Sequence, residues 1–153
     1  MESELAEFVG REEAKASAES RTRPTVLRDL LIFEYQGDLY GVAAPCVDGV
    51  IPWKSPARVP GADGRVKGVI QDRGRIIVLM VHPTGRAEHD ASKQGKRIVI
   101  CSTPRGKVGL PATTTNSVGP IELLAEPTPF AVHDSKLGPF TYLDPTLYVE
   151  EQS

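Results

Sequence analysis

From Val66 to His82 the chain reads Val-Lys-Gly-Val-Ile-Gln-Asp-Arg-Gly-Arg-Ile-Ile-Val-Leu-Met-Val-His, and this stretch constrains the fold more than any other. A Gly-bearing apolar strand leads into the polar turn Gln71-Asp72-Arg73-Gly74. The second strand then carries apolar side chains on both faces. Continuous apolar runs of this length, rich in β-branched residues, belong to strands covered on both sides. The segment is therefore a β-hairpin deep in an all-β fold. No nucleophile, metal cluster or phosphate loop lies near it.

The rest of the chain repeats the theme. Leu30 to Tyr35 and Leu39 to Ala44 form a hairpin across Gln36-Gly37-Asp38, Pro45 stops it, and Val47 to Ile51 resumes as a short strand with Val47 and Ile51 on one side. Residues 53–64 are a Pro/Gly-rich connection. Residues 82–95 have the composition of an exposed loop. Arg97 to Ser102 and Lys107 to Ala112 form a further hairpin across Thr103-Pro-Arg-Gly106, followed by a strand from Val118 to Ile121. Phe130 to His133 and Phe140 to Pro145 add strands, and Asp144-Pro145 is suited to cap a final short helix from Thr146 to Glu150. Only 6% of the 153 residues are aromatic, with 14 Gly and 13 Pro breaking short Val, Ile and Leu runs, which favours strands over helices.

The two halves echo one another. Tyr40-Gly-Val-Ala-Ala44 matches Val108-Gly-Leu-Pro-Ala112, and Val47-Asp-Gly-Val50 corresponds to Val118-Gly-Pro-Ile121. Two similar barrels, at about 26–82 and 96–150, explain this. Coincidental similarity of Gly-containing hairpins is the alternative. Residues 1–25 form an N-terminal extension, either a flexible tail or a short amphipathic helix through Leu5, Phe8 and Val9.

The functional classes narrow by chemistry. A net charge of −2 argues against a general polyanion binder. Arg58, Arg65, Lys67, Arg73 and Arg75 could still make a local basic patch, the footing for a remote alternative as a nucleic-acid-binding barrel module. Aromatic residues to stack bases are not interleaved with them. His82, His89 and His133 do not sit at metal-ligand spacing with Cys46, Cys101 or acids, and Gly85 to Lys96 lacks the phosphate-loop spacing. The expectation is no enzyme, no cofactor and no metal. Two cysteines, no leader-like opening and no long apolar run indicate a cytoplasmic protein.

Taken together, Leu31-Ile-Phe-Glu-Tyr-x-Gly-Asp-x-Tyr-Gly-Val42, Val47-x-x-Val-Ile51, Val59-Pro-Gly61, Lys67-Gly-Val-Ile70, Arg73-Gly-Arg-Ile-Ile77, Arg97-Ile-Val-Ile100, Val108-Gly-Leu110 and Leu143-Asp-Pro145 resemble the CheW coupling family of bacterial chemotaxis. The resemblance spans about residues 26–150. It implies two five-stranded SH3-like barrels packed side by side, with a hydrophobic groove between them for a chemoreceptor tip. It also implies a CheA-type histidine kinase as partner, bound through its regulatory domain, and a scaffold without catalysis. Membrane insertion is not part of this reading. An accessory protein that binds receptors without recruiting the kinase is the alternative.

Val47, Val50, Ile51, Val108 and Leu110 are the groove candidates, with ordinary barrel core as the competing reading for each. Arg73 stands where the family's turn carries an Arg that orders the receptor contact, and Gly74 supplies a backbone conformation other residues resist. Gln71-Asp72 departs from the family's Asn-Leu, placing a charge where an apolar side chain is usual.

Overall fold

The computed structural model describes residues 25–61, 64–88, 93–124 and 127–150. The extension through residue 24 lies outside them, so the tail-or-helix expectation does not enter the description. Among the described residues, ten strands form two five-stranded sheets. The strands are β1 (Thr25–Tyr35), β2 (Asp38–Ala43), β3 (Val47–Pro52), β4 (Val66–Asp72), β5 (Arg75–Met80), β6 (Arg97–Thr103), β7 (Gly106–Ala112), β8 (Thr114–Leu124), β9 (Val132–His133) and β10 (Phe140–Leu143). A 3₁₀ turn at Ala44–Cys46 links β2 to β3, and helix α1 (Thr146–Glu150) ends the described chain.

Turn chemistry sets the hairpins. Gln36 and Gly37 (φ 55° and 90°) join β1 to β2, and Arg73 and Gly74 (φ 54° and 79°) join β4 to β5. Positive φ at both central residues is the type I′ geometry whose twist matches that of the flanking strands. At the far end Asp144 caps α1: its Oδ1 accepts from the Thr146 N–H at 3.2 Å and the Thr146 hydroxyl at 2.6 Å. The short terminal helix thus stands where the Asp-Pro pair places it.

The first sheet runs β8-β1-β2-β10-β9, and the second runs β3-β6-β7-β5-β4. The division at 82 and 96 is therefore corrected. The second sheet is built wholly from residues 47–112, and the first from strands on either side of that segment. After each leading hairpin, β1-β2 or β6-β7, the next three strands join the other sheet. The two orders superimpose: β1-β2 plays the part of β6-β7, β8 that of β3, and β10 and β9 those of β5 and β4. Even the parallel pairings match, β10 with β2 and β5 with β7. The second sheet is closed by a bridge in which Ala57 and Val69 exchange N–H···O bonds of 2.8 and 2.9 Å.

This arrangement explains the strands that are apolar on both faces. Ile70, Ile77, Leu79, Ile98 and Ile100 fill the second barrel, with Ile51 and Trp53 against them. Leu30, Ile32, Leu123 and Phe140 fill the first. The alternate residues of the same strands, including Leu31, Phe33, Tyr40, Val42, Val99, Val108 and Leu110, meet in a third and largest cluster between the sheets. Each central strand serves two cores at once. Matching glycines make room: a Cβ on Gly41 would sit 2.7 Å from the Phe140 ring, and one on Gly109 2.9 Å from Ile98.

Candidate functional site

The expected groove residues fall into three groups. Val108 and Leu110 are 1% and 0% exposed within the cluster joining the sheets, so they are core and cannot touch a partner. This corrects the expectation of an open oily cleft along the seam. A strand feeding two cores looks the same in sequence as one facing a core and a groove.

Ile51 is half-buried and points into the second barrel, opposite Ile98. Val47 and Val50 take the other face, opposite Cys101 and Val99. The register slips by one residue between Val47 and Gly49, so Asp48 forms a bulge and Val47 shares its face with Val50 instead of Ile51. Val47 packs half-buried against the rim of the seam cluster, and Val50 remains 38% exposed.

On the far flank of that face, β5 presents Ile76, 60% exposed. Ile77 beside it points into the barrel, which puts Ile76 on the seam face, one step beyond half-buried Val78. Reading the sequence missed Ile76, because consecutive isoleucines do not reveal which one faces inward.

Arg73 and Gly74 occupy the exposed β4-β5 turn, and below them a lattice of ion pairs closes the end of the second barrel. Arg75 reaches Asp48 at 3.0 Å and Asp72 at 3.5 Å, while Lys54 lies 3.6 Å from Asp72 and donates to the Gln71 carbonyl at 2.8 Å. Lys107 bonds the same Asp48 carboxylate and donates to Ser102 Oγ at 3.0 Å. The Lys107 hydrogen bond, helped by the nearby Arg75 charge, holds the Asp48 carboxyl below the usual carboxylate range. The charge at Asp72, unexpected beside the family pattern, is thus matched by two cations. Of the candidate basic patch, Arg75 is committed to these acids and Lys67 donates to the Lys93 carbonyl at 2.8 Å.

Among the described residues no three of His, Cys, Asp and Glu come together as a metal would require. Cys101 is fully buried and its thiol is pushed far up by that burial, so it is not poised as a nucleophile. No described helix is long and apolar enough to cross a membrane. What the geometry offers is a partly apolar face with a charged border.

The CheW-like domain model matches residues 29–131, two-thirds of the chain. The chain belongs to the CheW-like family. Its fold is also that of a solved CheW: the crystal structure of the scaffolding protein TtCheW from Thermoanaerobacter tengcongensis aligns with a TM-score of 0.61 at 21% identity. That alignment covers 78% of this chain and 90% of the other. No curated protein matches in sequence. The two sheets are accordingly the paired five-stranded SH3-like barrels that the resemblance implied. The CheW-like match starts inside β1 and ends beside β9, so it takes in the whole second barrel and most of the first.

Proposed function

We propose that this protein is a cytoplasmic, non-catalytic adaptor that joins the cytoplasmic tip of a chemoreceptor to the regulatory domain of a CheA-type histidine kinase. Membership of the CheW-like family supports a scaffold role. The observation that carries the receptor contact is exposed Val50 beside half-buried Val47 on the seam face. A helical receptor tip would lay apolar side chains there, beside the Arg73-Gly74 turn. Val108 and Leu110 act beneath this surface by holding the sheets together, and Ile51 by bracing β3 from inside.

The decisive experiment titrates the purified protein with a soluble receptor-tip fragment and, separately, with the kinase regulatory domain, following both by calorimetry. Binding to both supports the coupling role. Binding to the receptor alone selects the accessory reading, and binding to neither sinks the proposal. Val50→Asp should weaken receptor binding at least about ten-fold with the melting temperature little changed, because one buried apolar contact is worth about 1.5 kcal/mol or more. Val47→Asp is a poorer probe, since that half-buried side chain also packs on the core.

A further inference from the structure

A cleft of about 390 Å³ opens between the start of β2, the start of β10 and the loop of residues 82–88 that leaves the second barrel. It lies apart from the seam-face surface and rests on none of the partner reading. One wall is apolar, formed by Leu39, Val132, Pro139 and Phe140. The rest of the lining is polar and comes from three elements: Asp38 and Tyr40 of β2, Thr141 of β10, and His82, Thr84 and Arg86 of the loop. This size, with an apolar wall and a few converging polar groups, is typical of small-molecule sites.

Both ring nitrogens of His82 have neighbours within hydrogen-bond reach. The ring is only 4% exposed, and edge-on contacts with Tyr35 and Tyr40 at 5.7 and 5.9 Å hold it in place. Its Nδ1 lies 3.2 Å from the Thr84 backbone N–H, which can only donate, and 2.9 Å from the Thr84 hydroxyl. When Nδ1 accepts from this N–H, the proton of the neutral ring sits on Nε2; a proton on Nδ1 would instead go to the Thr84 hydroxyl and let Nε2 accept from Arg86. Burial and then the Arg86 charge hold the ring neutral, with its pKa lowered to about 4. Yet Nε2 stands 3.3 Å from Nη2 of Arg86, and a guanidinium has no acceptor to offer. In the Nε2–H tautomer two donors therefore meet in the cleft, and an anion between them would satisfy both.

We propose that this cleft binds a small organic carboxylate with an apolar body, its carboxylate oxygens accepting from Arg86 and from His82 Nε2–H while the body lies against Phe140 and Val132. A carboxylate matches the planar fork of a guanidinium. A phosphate dianion fits less well, because among the described residues Arg86 is the one fixed cation lining the cleft and Asp38 shares that lining. The apolar wall also calls for hydrocarbon beyond the anionic head.

The test is an amide-shift NMR titration of the full chain with 3-phenylpropanoate, set against its uncharged amide. Saturable shifts confined to residues 38–41, 82–86 and 139–141 are expected for the acid, with the amide about ten-fold weaker or worse. Arg86 is exposed, so Arg86→Met should leave the free protein folded, with shift changes confined to the cleft, and weaken the acid at least about ten-fold. Long-range nitrogen shifts should place the His82 proton on Nε2. Equal binding of acid and amide, full affinity in Arg86→Met, shifts without saturation, or a proton on Nδ1 would each overturn the assignment.

Discussion

At the scale of single residues, glycine and histidine carry the sharpest consequences. Gly41 and Gly109 sit at equivalent places, and each makes room for a core side chain that a Cβ would strike, the Phe140 ring and Ile98. Either Gly→Ala change should destabilise by about 1–3 kcal/mol in urea unfolding, the usual cost of overpacking a tight core. Gly49→Ala is the control: nothing lies within 4 Å of its added methyl, and the midpoint should stay within about 0.5 kcal/mol. His82 makes stability depend on pH. Its folded pKa of about 4 lies below the ordinary 6.5, so the unfolded chain binds the proton more readily. The stabilisation is complete above pH 6.5 and declines as pH falls toward 4, by roughly 2–3 kcal/mol. Urea midpoints of the wild type should drop across that window, and those of His82→Gln should drop less.

At the scale of elements, local chemistry was legible and pairing was not. The Gln36-Gly37 and Arg73-Gly74 turns announce themselves because the positive φ they need is costly for most residues, and Asp144-Pro145 because a carboxylate followed by a ring-locked φ starts a helix. The cap matters beyond its own turn. Tyr148 of α1 is 3% exposed in the seam cluster, and its hydroxyl donates to the Pro83 carbonyl at 2.6 Å. Asp144→Ala should therefore cost about 1 kcal/mol in urea unfolding, with Asp144→Asn near wild type because both side chains cap well. The facing of β3 was not legible. Whether Ile51 or Val50 turns outward hangs on the Asp48 bulge, and that bulge follows from contacts with Arg75 and Lys107 far along the chain. The extent of β8 escaped too, since Thr114 to Ser117 pairs with β1 without an apolar pattern of its own.

At the scale of the molecule, the repeat visible in the sequence proved to be a repeat of topology, but its two copies are not the two barrels. Strand-to-strand register between distant segments leaves no local trace, so the crossing of β3 and β8 into opposite sheets could not be read beforehand. One consequence is measurable. Trp53, the sole tryptophan, packs on the second barrel's core, so its fluorescence follows that barrel alone, while far-ultraviolet circular dichroism follows all ten strands. Because the largest cluster belongs equally to both sheets, the two signals should give a single coincident urea transition. Separate midpoints would mean that the barrels are independent folding units.

During synthesis this nesting imposes an order. The inner barrel has all its strands once Ala112 has left the ribosome, whereas β1, made first, must wait for β8 and its partner β2 for β10. A nascent chain interrupted before β10 would hold the β1-β2 hairpin with at least one bare edge and an open apolar flank, and that is the segment a chaperone would meet first.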